Sequence, residues 1–309
     1  MTSNYNGYIF LIMEKIQPSS ETEWLQLRTQ DITSTEVSVL FGCSPYTTEF
    51  ELWHSKKSQA ISDIKASERM KWGTRLQDAI AAGIAEEQGW TIRRMSEYGR
   101  IPELRMGASF DFAIEPNGLL EIKNVDSLQF KGGWLVDGEN IEAPPHIELQ
   151  VQHQLAVSDN AYAYIGALVG GNTLKLIKRE PMPAVIKTIK TKVAAFWKSI
   201  DENIEPSPTW PQDAGAVIKM AYYAEPGKII VAPEETQAMA EEYRRLGGII
   251  KEADAGRDTL KAQILLAIGD AERVNGQGYT ISAGITGEAE IAYTRKAFRN
   301  FKITWRKEK

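Results

Sequence analysis

The chain is expected to fold as an α/β protein in which a central mixed β-sheet is flanked by helices. Three observations predict this. Along residues 68–202 the hydrophobic period switches from helical to strand spacing and back. The order of elements is helices, a strand meander, a helix, two strands and a helix, which suits layers around a mixed sheet better than a strict strand-helix-strand repeat. The 309 residues are 43% hydrophobic and 25% charged, with 24 Gly and 13 Pro, the profile of an ordinary globular protein able to bury a full core.

Taken in order, the elements announce themselves by local chemistry. Met13 opens a conventional start, Met13-Glu14-Lys15-Ile16, so residues 1–12 read as a non-native or disordered upstream extension without a role. Thr33-Ser34-Thr35-Glu36 reads as a capping box for a short helix ending at Gly42, and Thr48 with Glu51 repeats the signal. Leu76, Ile80 and Ile84 recur at helical spacing in a long helix over about 68–88, closed by Gly89. Residues 90–94, 105–115 and 119–125 are β-rich, and Pro116-Asn117-Gly118 turns the last two into a hairpin. A helix over about 145–157 precedes a second hairpin, 161–169 with 173–178, and a helix over 184–202. Gly170-Gly171 between those strands is a turn and not a phosphate loop, because no Gly-Lys-Ser/Thr follows. Prolines within Glu205–Pro211 mark a boundary, separating a core of residues 1–204 from an α+β extension of residues 205–309. In the extension, about 233–254 and 258–272 are expected as paired helices, with 279–285 and 298–305 as strands.

Composition excludes several classes. The single cysteine, Cys43, rules out a disulfide framework, a Cys-based zinc site and an iron–sulfur cluster, and a reducing cytoplasm fits best. The apolar stretch Tyr8–Met13 is far short of the ~20 residues of a membrane span, and no basic segment precedes it, so no membrane partner is expected. A net charge of −5 argues weakly against nucleic acid, yet residues 292–309 carry +6 and leave −11 on the remainder. Such a tail suits local steering of a polyanion, and a solvated terminal segment explains it equally well.

The chemistry concentrates at Ser109-Phe110-Asp111, followed after nine intervening residues by Glu121-Ile122-Lys123. On a strand Glu121 and Lys123 share a face while Ile122 takes the other, and a hairpin turning at 116–118 brings Asp111 beside them. Two carboxylates on adjacent strands form a hard-oxygen site suited to Mg²⁺ or Mn²⁺, and a neighbouring lysine can hold or deprotonate an attacking water. A surface strand pair with a cross-strand salt bridge, worth a few tenths to ~1 kcal/mol, has the same spacing, and spacing alone does not choose. Elsewhere, His54, His146 and His153 lack metal-ligand pairing, and Cys43 reads as a small buried residue. Lys187, Lys190, Lys192 and Lys198 offer either a DNA-tracking or a solvated helix face. Gly132-Gly133 and Trp134 fall in a loop after the motif, suited to touching substrate or to a plain surface loop.

Asp-x9-Glu-x-Lys on a hairpin resembles the core motif of the PD-(D/E)XK, restriction-endonuclease-like nucleases. Its flanks resemble one branch, the YqaJ-like, lambda-type phage recombination exonucleases: Trp24-x-x-x-Arg28, Ile32-Thr33-Ser34-Thr35-Glu36, Trp72-Gly73, the motif itself, and Gln150-Val151-Gln152 appear in family order over roughly residues 20–200. The resemblance implies that Asp111, Glu121 and the Ile122 backbone carbonyl bind one or two Mg²⁺ ions, with Mn²⁺ as a substitute. It assigns Lys123 to orienting and activating the attacking water and places Gln152 in the same site. Arg28 and Thr35 are implied to hold a terminal 5′-phosphate, a role to which a guanidinium fork and a helix N-terminus are suited, and Ser109 to line the scissile phosphate. It further implies 5′-to-3′ degradation of linear duplex DNA to mononucleotides, a ring-shaped homotrimer, a single-strand annealing partner, and a bacterial or phage-infected cytoplasm. Three positions depart from the pattern: Thr35 replaces a serine, Phe110 a proline, and Gln77 the glutamate expected four residues after Gly73, which weakens a second metal site. Asp78 lies ~100° round the helix from Gln77 and substitutes poorly. An endonuclease or junction resolvase on the same core, and a catalytically decayed DNA-end-binding protein, are the competing readings.

Overall fold

The computed structural model describes residues 3–5, 8–10, 13–59, 61, 67–138, 140–220 and 226–288. Two units are distinguished, Met1–Val217 and Ile218–Lys309.

The first unit begins with a small antiparallel pair, β1 (Ser3–Tyr5) and β2 (Tyr8–Phe10), within the stretch assigned no role. Then come β3 (Glu14–Ile16) and α1 (Glu21–Gln30), whose N-terminus is capped by the Ser20 hydroxyl accepting from the Glu23 amide. After β4 (Ile32–Thr33) the chain makes a 3-10 turn, Val37–Phe41, ended by Gly42 in the left-handed region. The expected capping box there is half formed. Glu36 reaches back to the Thr33 amide at 2.9 Å, but the Thr33 hydroxyl donates to Glu36 instead of accepting an amide, because Thr33 is held in a strand. At α2 (Glu49–Ser58) both halves of the Thr48/Glu51 box are present. Next is α3 (Glu68–Gln88), closed by Gly89 at φ +65°.

A strand meander follows: β5 (Ile92–Arg94), β6 (Tyr98–Ile101), β7 (Met106–Ser109), β8 (Phe112–Ile114) and β9 (Gly118–Val125). The single strand expected over 105–115 is thus two strands, interrupted at Phe110–Asp111, and they join different sheets. The four-stranded sheet runs β3-β6-β7-β4, the five-stranded sheet β13-β12-β9-β8-β5. Instead of a loop, residues after the motif form α4 (Ser127–Gly133), capped by Asp126, with Trp134 buried and stacked on Phe130. The short pair β10 (Leu135–Asp137) and β11 (Asn140–Glu142) leads to α5 (Pro145–Ser158), which opens with proline at its first position. The antiparallel hairpin β12 (Tyr162–Val169) and β13 (Thr173–Arg179) and the helix α6 (Pro183–Asp201) complete the core. β12 pairs parallel to β9, so the five-stranded sheet is mixed.

This sheet separates two apolar layers. Ile80, Ala81 and Ile84 of α3 pack on Leu120 and Ile122, while Val151 and Leu155 of α5 pack with Ala163, Ile165 and Leu119. The unit extends past the Glu205–Pro211 segment, to Val217 instead of residue 204. The reason is Asp213, fully buried, which accepts from the Thr48 hydroxyl and the Thr209 amide and ties the segment back to α2 before α7 (Ala214–Met220).

In the second unit, α8 (Glu234–Ile268) is one continuous helix of 35 residues where a helix pair is expected from the sequence. Gly256 keeps its amide and costs a helix only about 1 kcal/mol, whereas a proline would break it. The pair β14 (Arg273–Gly276) and β15 (Tyr279–Ser282) follows. The expected strand over 298–305 and the basic segment 292–309 lie outside the described residues. Among the described residues no helix is long and apolar enough to cross a membrane.

Candidate active site

The interruption at Phe110–Asp111 makes the site. In the β8/β9 ladder Phe112 pairs with Leu120, and beyond it Ile122 has no strand residue opposite. Its amide turns instead to the Asp111 side chain, donating to Oδ2 at 2.8 Å. The other oxygen, Oδ1, accepts from Gln77 Nε2 of α3 at 3.0 Å. Asp111 is therefore fixed by a strand amide and a helix amide while its carbonyl accepts from the Met95 amide. Asp78 is turned away, paired with Arg94.

On β9, Glu121 is 6% exposed and accepts from three donors: Lys123 Nζ at 2.7 Å and Gln150 Nε2 at 2.6 Å on Oε1, and Gln154 Nε2 at 2.8 Å on Oε2. Lys123 Nζ also donates to Gln150 Oε1 at 3.0 Å. Burial and then the Glu121 carboxylate push the Asp111 pKa up to about 7. Burial pushes the Lys123 ammonium down, but Glu121, with Asp111 behind it, more than offsets this and leaves its pKa above the ordinary lysine value. Lys123 is thus charged at neutral pH, a donor and not a base.

Ile122 packs its side chain into the α3 layer while its backbone amide meets Asp111. The donor set suits a hard dication. Buried Glu121 and half-buried Asp111, whose pKa is raised first by desolvation and then by Glu121, would gain from a neighbouring 2+ charge, and Mg²⁺ commonly takes one or two protein carboxylates with substrate phosphate and water. Among the described residues no group of three or more His, Cys, Asp or Glu side chains gathers in one place.

Gln152 is not brought to this cluster. Its amide donates to the Glu180 carbonyl at 2.9 Å and accepts from the Met182 amide at 2.8 Å, bracing the entry to α6. Gln150 and Gln154, one turn apart on the opposite face of α5, meet Glu121 instead; the phase of a helix against its sheet decides which glutamine of a Gln-x-Gln is presented. We expect Gln150→Ala to lower any hydrolytic rate by one to two orders of magnitude at nearly unchanged melting temperature, by freeing Lys123 and Glu121. Gln152→Ala is expected to do the reverse, lowering the melting temperature with little change in rate. Equal effects on both readouts would remove the distinction.

A second region adjoins the first. Trp24 Nε1 donates to Ser109 Oγ at 3.0 Å, and Gln154 reaches the Ser109 carbonyl at 3.1 Å, linking α1 to the carboxylate cluster. The Arg28 guanidinium lies 4.6 Å from the Trp24 ring and makes a long contact, 3.4 Å, to the Thr35 hydroxyl. Arg28 faces a cavity of about 650 Å³ also walled by Lys71 and Arg75 of α3. His153 is fully buried, bonded to the Gly107 carbonyl, and burial pushes its pKa down to about 4, so it is a neutral core residue. Sequence reasoning includes Gln150 only as part of Gln150-Val151-Gln152 and does not single out Gln154; the i, i+4 spacing of the two on α5 is the signal that pairs them.

The comparisons agree with this architecture. The model of the YqaJ-like viral recombinase domain family matches residues 23–161. A relative from Bacillus subtilis (strain 168), described as uncharacterized protein YqaJ, is 29% identical over 190 residues, 60% of this chain and 58% of the relative, so the match spans less than two thirds of that protein. Among solved structures, LHK-Exo in complex with dAMP superposes with a TM-score of 0.50 at 20% identity, covering 63% of this chain and 98% of that one. Another crystal structure of LHK-Exo, an alkaline exonuclease from Laribacter hongkongensis, gives 0.49 at 21% identity over 60% and 94%. The chain shares the mixed α/β fold of the dAMP-bound structure, and the segment that matches the YqaJ-like viral recombinase domain family, residues 23–161, is just under half of the chain.

Proposed function

We propose that this protein is a divalent-metal-dependent exonuclease that degrades one strand of linear duplex DNA from the 5′ end and releases 5′-mononucleotides. The observation that carries the proposal is the meeting of Asp111, Glu121 and Lys123 in one polar cluster beside a cavity walled by Arg28, Lys71 and Arg75. Asp111, Glu121 and the Ile122 carbonyl would hold Mg²⁺ or Mn²⁺, which when bound neutralises charge at the scissile phosphate. The Lys123 ammonium has three hydrogens, of which Glu121 and Gln150 take two, leaving one to orient an attacking water or a phosphate oxygen. Gln77, Gln150 and Gln154 keep both carboxylates in place. Arg28 and Thr35 take the terminal phosphate, and Ser109, held by Trp24, lines the path between that pocket and the carboxylates. On this reading the protein works as a ring-shaped homotrimer with a single-strand annealing partner, and an acidic exterior restricts DNA to a basic lumen.

Gln77 motivates a second reading, a DNA-end-binding protein without hydrolysis, since an amide stands where the family has a carboxylate and donates to Asp111. The test is release of acid-soluble nucleotide in Mg²⁺ or Mn²⁺ from linear duplex and from covalently closed DNA. Digestion of linear DNA alone is expected. Cutting of closed circles would replace the exonuclease by an endonuclease or junction resolvase, and binding without hydrolysis in either metal would favour the second reading.

A further inference from the structure

We propose that the ion pair between buried Lys56 and half-buried Glu36 is the positioning element that shapes the Arg28–Thr35 pocket and sets its preference for a terminal phosphate. This rests on the end-phosphate reading above. Lys56 is 4% exposed, on the last turns of α2. Its ammonium donates to both Glu36 oxygens at 2.9 and 2.7 Å, to the Arg28 carbonyl at 2.7 Å and to the Asp31 carbonyl at 2.8 Å. With three hydrogens shared among four acceptors, nothing remains for a ligand, so Lys56 acts through the groups it holds.

Those groups shape the pocket: Arg28, Glu36 and Lys56 itself line the cavity, and Glu36 holds the turn that carries Thr35 beside it. The Arg28 carbonyl is among the last of α1, left without an intrahelical partner, and the ammonium caps it, fixing the backbone from which the guanidinium projects. Glu36 is the other anchor: its Oε2 also accepts from the Thr33 amide at 2.9 Å and hydroxyl at 2.8 Å, locking the turn that carries Thr35. One cation therefore sets the spacing between the Arg28 fork and the Thr35 hydroxyl, whose contact is long at 3.4 Å and leaves room for an anion to bridge them. From the far side Asp31 is held by Arg100 at 2.9 Å and by the Tyr98 hydroxyl at 3.2 Å, so the α1 exit is clamped at both ends. Buried ion pairs stabilise poorly compared with an apolar core of the same volume, and holding a specific geometry is the better account of one beneath a pocket.

The test is metal-free equilibrium binding, by fluorescence anisotropy, of a short blunt duplex carrying either 5′-phosphate or 5′-hydroxyl, so that no hydrolysis is needed. The full-length protein is compared with Arg28→Ala, Lys56→Met and Glu36→Gln. We expect the parent to prefer the phosphorylated end, and Lys56→Met to reduce that preference about ten-fold, as Arg28→Ala does, and Glu36→Gln to reduce it too, whereas mere loss of the Lys56 charge at the cavity wall would leave Glu36→Gln with an equal or stronger preference. General destabilisation would weaken both duplexes alike and leave the ratio unmoved. A parent without preference overturns the pocket reading and this proposal together. A preference lost in Arg28→Ala but kept in Lys56→Met or Glu36→Gln overturns this proposal alone. Glu36→Gln keeps the side-chain volume and decides the matter if Lys56→Met does not fold.

Discussion

Lys123→Met is expected to cut nucleotide release from 5′-phosphorylated linear duplex by about a thousand-fold while leaving duplex-end binding within a few-fold of the parent. The argument is local. Methionine keeps the length of the side chain and removes its three donors. Glu121 then loses one partner of three, but Gln150 and Gln154 still hold both its oxygens, so no bare buried carboxylate results and the fold persists. The Arg28 pocket does not involve Lys123, so the end binding proposed for it should be kept. What disappears is the one ammonium hydrogen free to orient an incoming oxygen. Because Lys123 is already charged at neutral pH, raising the pH toward 9 should not rescue the variant, as it would if the residue acted by accepting a proton. A residual rate within ten-fold of the parent, on unchanged binding, would exclude Lys123 from the reacting centre.

Asp111→Asn is expected to abolish metal-dependent hydrolysis and at the same time to raise the melting temperature of the metal-free protein above neutral pH by roughly 2–4 °C. An asparagine oxygen still accepts from the Ile122 amide, and Gln77 can turn its amide to accept from the new NH₂, so both hydrogen bonds survive. Lost is a carboxylate that burial and Glu121 make costly to ionise. The sign follows from proton counting. With a folded pKa near 7 and an ordinary value of 3.8, the folded state binds more protons than the unfolded state between those limits, so the parent loses stability as pH rises through that window. The gap between variant and parent should therefore be roughly two fifths of its full size at pH 5 and nearly full at pH 8, and Mg²⁺ should bind the parent more weakly at pH 6 than at pH 8, because a proton competes for Asp111. Melting curves at the two pH values without metal are decisive; a variant less stable than the parent at pH 8 would contradict the strain assigned to this carboxylate.

Such a site exchanges stability for charge density, as the cation-binding role proposed for it requires. Its supports are unusual in being glutamines. Gln77, Gln150 and Gln154 donate to carboxylates without adding charge, which holds two acids close together where further acids would repel them.

Much of this was legible in the sequence because it depends on neighbours along the chain. The Thr48/Glu51 box, the Gly89 stop, the turn at 116–118 and the alternation that puts Glu121 and Lys123 on one face are consequences of backbone geometry within a few residues, and they bring Asp111, Glu121 and Lys123 within reach of each other. The strand β6, the division of residues 105–115 between two sheets, the continuity of α8 through Gly256 and the attachment of Asp213 to α2 were not legible, since each depends on a partner distant in sequence. The same holds for Gln150 against Gln152: a Gln-x-Gln spacing puts one residue toward a sheet and the other away, and only the docking of α5 against β9 decides which. The sequence by itself determined the chemistry assembled here, two carboxylates and a lysine on a hairpin, because alternation and turn geometry are local properties of the chain. Tertiary structure alone decided how that chemistry is held, through the strand break at Phe110–Asp111, the phase of α5 and the buried Lys56 beneath Arg28, because packing between distant elements sets rotation and register.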